Sequence, residues 1–442
     1  MSVTRTQPET SVAEMASRVR VAARVLARLS NERRNEILAA AAAAIEDHRS
    51  EILDANAKDC LAAQPTVATG TMSAAMFARL RISEHGIKEM AARVRDVARL
   101  ADPLHRKLSS TELDEGLVLL KESCPLGVIG IVFESRPDVV PQVASLALKS
   151  GNGILLKGGS EAARTNEVLV QIWRNCLPRF EEVPPDSICL LHTRADVMEL
   201  LALDRDVDLI IPRGSRELVE FVAEHSRIPV LGHGEGVCHV YVDRAADIEK
   251  GVRITFDSKV QYPAACNAAE TLLVHQDIAG NFLPRMVSKL SEAGVEIRGC
   301  AKTIALLGRA DIVPANESDW ATEYGDLILS IKIVANTEDA ILHVHRYGSG
   351  HTETIVTEDA RAAKHFMEEV DAAGVYHNAS TRFADGFRYG LGAELGISTN
   401  KFHARGPVGL EGLTTYKYKL FGKDHVVAEY ANGTRRFTHR RL

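Results

Sequence analysis

Short apolar runs separated by helical segments constrain this chain more than any other feature. In the first half they read GVIGIVFE (Gly127–Glu134), GILLK (Gly153–Lys157), ICLL (Ile188–Leu191), VDLIIP (Val207–Pro212) and IPVLG (Ile228–Gly232). A strand without polar alternation has to be covered on both faces, and strands alternating with helices form a parallel sheet. The first half is therefore expected to be a doubly wound α/β domain. The rhythm resumes with CHVYVD from Cys238, the helical DIEKGVRITFDSK, ETLLVH (Glu270–His275), a helix from Asp277, DLILSIKIV (Asp326–Val334) and TETIVT (Thr352–Thr357). Two such domains imply a cleft, with ligands at the carboxyl ends of strands.

From Val12 to Ala63 apolar residues such as Ile37, Ala41, Ile45 and Ile52 recur at helical spacing, and a second helical stretch runs from Ser83 to Leu100. The alanine run in LAAAAAAIEDH (Leu38–His48) predicts close helix packing. LSSTELDEGLVLLKESC (Leu108–Cys124) is polar, then alternating, and reads as a protruding ribbon. EGLTTYKYKLFGKDHVVAEY can add a strand to it, and a second subunit is the expected cover for such edges. The basic ending NGTRRFTHRRL is expected to be loose.

A net charge of -6 over 442 residues gives no electrostatic reason to bind nucleic acid or an anionic membrane. No apolar run reaches the roughly 18 residues of a membrane span, and MSVTRTQPETS lacks the apolar core of a secretory signal. The seven cysteines are spread singly with no C-x-x-C pair, which fits neither a disulfide framework nor zinc spacing. A reducing cytoplasm is the expected setting.

ILLKGGSEAARTN ends a buried strand at Lys157, passes through Gly158 and Gly159, and begins a helix at Ser160. The free N–H groups of a first helical turn attract anions, glycines let the backbone approach closely, and Lys157 adds a charge. The stretch matches neither G-x-G-x-x-G nor the P-loop, and a solvated lysine after a strand is an equal alternative. IIPRGSREL has the same build, with Arg213 and Gly214 leading to Ser215 as N-cap. Two such turns on one sheet favour a dinucleotide site.

PLGVIGIVFESRPDV, ALKSGNGILLKGGSEAARTN and PAACNAAETLLVH follow one another in the order found in the aldehyde dehydrogenase superfamily, which the sequence resembles. VANTEDAILHVHRYGSGHTETI (Val334–Ile355) and the block from Asn378 to Tyr418 resemble one branch of it, the γ-glutamyl phosphate reductases (glutamate-5-semialdehyde dehydrogenases) of proline biosynthesis. The resemblance implies an aldehyde dehydrogenase-like α/β fold of two doubly wound domains. Residues 1–107 and 125–238, with 383–405 returning, would bind cofactor, and 239–382 would form the catalytic domain. Residues 108–124 and 406–442 would supply an oligomerisation ribbon and tail for a homo-oligomer, dimer or tetramer.

The resemblance makes Cys266 the nucleophile, with the backbone N–H groups of Cys266 and Asn267 as oxyanion donors. Lys157 becomes a ligand of the adenosine ribose, in a cofactor site with Gly158, Gly159, Ser160, Arg213, Gly214 and Ser215. Glu323 falls where relatives hold the nicotinamide ribose. Ser160 stands where NAD-preferring relatives often carry an acid, which leaves room for a 2′-phosphate, so NADPH/NADP+ is expected. The implied substrate is L-glutamyl 5-phosphate, and the upstream glutamate 5-kinase is a possible partner. Glu134 and Arg136 would meet the amino-acid end of the substrate, and His345, Ser349 and His351 its phosphate or semialdehyde oxygens.

The departures from the superfamily pattern also carry information. Aldehyde-oxidising relatives keep a glutamate base in E-L-G-G; here LGHGEGVCHVYVD puts His233 or Gly234 near that position, with Glu235 out of register. FESRPD replaces the P-W-N asparagine. Both changes weaken the alternative of a hydrolytic semialdehyde dehydrogenase, and an intact Cys266 among small residues speaks against a non-catalytic nucleotide-binding oligomer. His343, His345 and His351 lie close in sequence without a completing carboxylate pattern, so no metal is expected. Arg405, in KFHARGP with His403, is expected to tie the C-terminal segment to the sheet.

Overall fold

Every residue of Val128–Phe133 and of Gly153–Lys157 is buried. In the computed structural model, which describes residues 11–232 and 234–442, these two strands are the centre of a four-stranded parallel sheet. Ile188–Leu190 pairs with Gly153–Lys157 on one side, and Leu209–Arg213 pairs with Val128–Phe133 on the other. Ile228–Gly232 is not a fifth strand; it makes a single bridge between Val230 and Ile210. Pro229 accepts from Ile210 N but has no N–H to return, so the ladder stops there.

The helices Val12–Leu26, Asn31–Asp47, Arg49–Ala68 and Glu84–Arg99 precede this sheet. Ser11 closes a capping box with Glu14 at the first of them. In the second, Ala41 and Ala42 are fully buried beside Ile37, Leu38 and Ile45, so the alanine run serves close packing. Lys107–Asp114 and Leu117–Pro125 form a hairpin whose outer neighbours are Thr414–Phe421 and Arg440–Arg441, all antiparallel. The basic end is therefore tied down rather than loose: Arg440 is ion-paired with Glu112 at 2.6 Å, and Leu442 N donates to Ser110 O.

A second, seven-stranded parallel sheet runs in the order Val313–Pro314, Glu296–Gly299, Ile328–Val334, Ala269–His275, Cys238–Val242, Thr352–Val356, Gly374–His377. Alternate residues feed opposite faces, as the two-residue period requires. Leu272 and Val274 join a cluster with Phe282, Met286 and Leu290 of helix Gln276–Glu292. Leu273 and Tyr241 join the other, with Val344 and Phe366. The ladder between Cys238–Val242 and Ala269–His275 is irregular at its first step, where Cys238 faces Ala269 but His239 faces Thr271.

The chain divides into two compact units, one running to Leu231 with Leu391–Leu395 and Val408–Leu442, the other Gly232–Gly390 with Gly396–Pro407. These bounds differ from those expected, which began the second domain at residue 239 and returned all of 383–405 to the first. Only Leu391–Leu395 belongs there, held by Leu395 N to Val408 O and by Gln142 Nε2 to Glu394 O at 2.7 Å. Farther along, Asp371 of the second unit holds Lys401 and Arg405. The hairpin Lys107–Pro125 packs with the first unit rather than standing as a body of its own. Among the described residues, no helix is long and apolar enough to cross a membrane.

Glu270, just inside its strand, pairs with Lys259 at 2.6 Å with both side chains fully buried, and its other oxygen accepts from Gly325 N. Burial raises the Glu270 carboxyl to about 7 against the pull of Lys259. Glu270→Ala strands the buried ammonium and is expected to cost about 3–5 kcal/mol in urea denaturation, whereas Lys259→Met with Glu270→Leu recovers most of that loss.

Candidate active site

Cys266 lies in the turn between helix Ile248–Val260 and strand Ala269–His275, and its side chain is half-buried. The turn is fixed by backbone bonds from Ala265 N to Tyr262 O and from Ala268 N to Ala265 O. Its closest constraint comes from Gly236, where an added Cβ would sit 2.0 Å from the Cys266 carbonyl oxygen. Only glycine lets these two backbones lie together.

The segment Gly236-Val237-Cys238 is a hub for several residues predicted from sequence. Gly236 N donates to Glu323 Oε2 at 2.7 Å, and Val237 N donates to Ser349 Oγ at 2.9 Å. Cys238 Sγ lies 3.4 Å from Cys266 O and 3.6 Å from His351 Nδ1. Full burial pushes the Cys238 thiol well up, with the charge of Glu353 adding to it, so Cys238 stays a protonated donor. Cys266, Glu323, Ser349 and His351 thus converge on three consecutive residues. His345 belongs elsewhere: it is exposed near the end of helix Thr337–Tyr347, with Nε2 on the Glu369 carbonyl. His233 lies outside the described residues. Among the described residues no group of three His, Cys, Asp or Glu side chains is placed to hold a metal ion.

Asn267 is buried, and its Nδ2 donates to Ala384 O at 2.7 Å. That bond anchors the segment carrying Arg382, a residue the sequence reading did not single out. Arg382 is almost fully buried, with Nε on Gln261 Oε1 at 3.0 Å. Burial and the nearby Arg388 lower its hold on its proton, while a negative charge at Cys266 works the other way. The two groups are thus within electrostatic reach of each other, a pairing that chain order alone could not locate. Arg405 is ion-paired with Asp371 at 2.8 Å, a structural role.

The residues expected to face a cofactor lie in the first unit, at the carboxyl edge of the four-stranded sheet. Lys157 and Arg213 end the strands on either side of Val128–Phe133, and Glu134 follows that central strand. Lys157 is buried and donates to Gly158 O at 2.7 Å; burial lowers its ammonium's proton affinity, and Glu161 and Asp196 partly restore it. Glu134 is turned toward the second glycine turn. Its Oε2 accepts from Ser215 N at 2.8 Å and lies 2.3 Å from where a Cβ on Gly214 would be. Arg136 is paired with Asp138 at 3.5 Å within its own turn. Between Glu134 and Arg136, Ser135 adopts a positive φ of 44°, and its N and Oγ both donate to Glu161 Oε1. Strain of this kind in a ligand-facing turn persists only where neighbours hold it. A buried ammonium with a neutral partner, two glycine turns and the start of helix Arg216–His225 suit a dinucleotide.

Parallel sheets, glycine turns at strand ends and a half-exposed cysteine before a strand define an oxidoreductase of the aldehyde dehydrogenase type. The model of the aldehyde dehydrogenase family matches residues 2–298. The γ-glutamyl phosphate reductase of Synechococcus sp. (strain JA-3-3Ab) is 54% identical over 95% of this chain and 92% of its own length. That of Cyanothece sp. (strain PCC 7425 / ATCC 29141) is 54% identical over 100% of both. The crystal structure of γ-glutamyl phosphate reductase from Thermotoga maritima matches with a TM-score of 0.90 and 43% identity, covering 94% of this chain and 99% of that one. The chain belongs to the γ-glutamyl phosphate reductases, a branch of the aldehyde dehydrogenase family whose members use a nicotinamide dinucleotide and act on small molecules.

Two substitutions probe this geometry. Gly236→Ala drives a methyl into the Cys266 carbonyl and is expected to lower kcat by about a hundredfold, measured beside a melting curve that shows the protein still folded. Arg382→Gln removes a buried cation, so the pH profile of Cys266 alkylation by iodoacetamide should move to higher pH.

Proposed function

We propose that this chain reduces L-glutamyl 5-phosphate to L-glutamate 5-semialdehyde through a thioester on Cys266. The observation that carries the reading is the half-exposed thiol held by the Gly236 backbone contact, with the buried Arg382 within electrostatic reach. Cys266 Sγ attacks the acyl carbon, forming the C–S bond as the C–O bond to phosphate breaks and phosphate leaves with the electron pair. The backbone N–H groups of Cys266 and Asn267 stabilise the acyl oxygen as charge develops on it. When bound, the reduced nicotinamide supplies the hydride that the acyl carbon accepts. Cys266 then departs as a thiolate, a good leaving group, and the semialdehyde is released.

NADPH is the preferred donor in this reading. The Glu161 carboxylate is spent on Ser135, Ser160 beside it is exposed, and Arg194 adds positive charge near Lys157. Those features suit a 2′-phosphate better than a free 2′-hydroxyl. Ser349 and His351, grouped at the hub, are the better candidates for substrate oxygens than Glu134 and Arg136, which are engaged with Ser215 and Asp138. Homo-oligomerisation through the exposed edge strand Thr414–Phe421 belongs to the same reading, since Tyr416, Tyr418, Leu420 and Phe421 are all exposed on it.

The test runs the reaction backwards, supplying glutamate 5-semialdehyde and NADP+ and following NADPH with and without inorganic phosphate. Turnover should require phosphate and disappear in Cys266→Ser. Turnover that ignores phosphate would instead indicate hydrolytic aldehyde oxidation.

A further inference from the structure

At the opposite end of the second sheet from Cys266 lies a cavity of about 490 Å³ that the reaction does not use. Cys266 precedes the first residue of Ala269–His275, whereas the cavity is walled by Ile333, Val334 and Ala335, level with and beyond His275 in the register. A seven-residue strand separates the two ends by roughly 20 Å. Cys300, Ala301 and Lys302 close one side and helix Thr337–Tyr347 the other, with His343, Arg346 and Tyr347 on the wall.

The charge on this wall is unbalanced. Lys302, Lys332 and Arg346 face a single lining carboxylate, Asp339, whose Oδ2 already accepts from Ala335 N. The nearby Glu317 pairs with Arg346 and accepts from Tyr347, so the uncompensated charge is that of Lys302 and Lys332. Lys332 is half-buried, and among the described residues its ammonium has no carboxylate partner. Its neighbours are His343 Nδ1 at 3.0 Å and the rings of Trp320 at 5.3 Å and Tyr347 at 5.8 Å.

His343 fixes the position of that ammonium. Accepting from Lys332 at Nδ1 places its proton on Nε2, because a neutral imidazole has one donor and one acceptor nitrogen. Burial, then the charges of His239 and Lys332, keep that ring neutral. The side chain is 4% exposed, and Nε2 has no hydrogen-bond partner among the described residues. A half-buried ammonium without a carboxylate partner, on a metabolite-sized cavity that Lys302 also lines, is complemented by an anionic group.

We propose that this cavity is a second, non-catalytic binding site for a small organic anion bearing a carboxylate or phosphate group, held by Lys332 with Lys302 and Arg346. Cys300 on its wall is a built-in reporter. Burial pushes this thiol up, but hydrogen bonding with Thr303 and the backbone at Ile333, Thr303 and Lys302 outweighs that and lowers it. Its side chain is partly exposed, so it can be alkylated and followed on its own peptide, apart from Cys266.

The experiment measures carbamidomethylation of Cys300 by mass spectrometry in the full-length protein, with inorganic phosphate, malonate or chloride at equal ionic strength. Phosphate or malonate should slow it about fivefold at four times its dissociation constant, while chloride leaves it unchanged. Protection by phosphate alone indicates a phosphorylated ligand, and by malonate alone a carboxylate. Lys332→Met should abolish the protection. Arg346→Gln, on the exposed helix face, should weaken it even if the first variant folds poorly. Equal Cys300 rates in all three salts, or protection that survives both substitutions, would overturn the proposal.

Discussion

The contact between the Gly236 backbone and the Cys266 carbonyl organises the catalytic half of this molecule. Two main chains that close exclude any side chain at Gly236, so the turn carrying Cys266 lies directly against the entry to strand Cys238–Val242. The same short segment then spends its N–H groups on Glu323 and Ser349 and its thiol on the cysteine turn. Backbone donors cannot rotate away as side chains do, so the carboxylate and hydroxyl they hold are placed as firmly as the sheet itself. The irregular ladder step at Cys238/His239 falls at this point, as bulges near active sites commonly do, and re-aims one strand against its neighbour.

The carboxyl edge of the first unit's sheet is built on a comparable economy. Glu134 reaches the Gly214–Ser215 turn and Glu161 reaches Ser135, so each carboxylate links the turns after two neighbouring strands. The strained backbone at Ser135 is held by two bonds to one oxygen of Glu161. Both acids hold loop geometry, and Arg136 is paired with Asp138.

What could be read in the sequence follows from what burial does to composition. Strands covered on both faces appear as unbroken apolar runs, and Gly153–Lys157 was delimited to the residue, whereas Ile228–Gly232 looked alike but failed because Pro229 cannot donate. The glycine turns were legible because their chemistry is local. Arg382 was not, since the bond that brings its segment to the cysteine turn spans 117 residues, and no local pattern records such a pairing. His345 looked like part of the glycine loop that follows, although the C-cap Gly348 and a last turn carrying His345 and Arg346 mark the helix end at Tyr347. The tail looked loose because arginines usually are; its partner Glu112 lies at the far end of the chain.

The ribbon sheet also fixes an order of events during synthesis. The hairpin Lys107–Pro125 is made early, yet the strand that covers its edge begins at Thr414, and the nearby bond from His425 to Glu115 spans 310 residues. At a ribosomal pace of about 5–20 residues per second, the hairpin waits roughly 15–60 s for its neighbour. A nascent chain thus carries an unfinished edge for most of its elongation, and the four-stranded ribbon sheet comes into being only when nearly all of the chain has emerged. A chain cut short before Thr414 would keep the hairpin and lack the strand that covers it.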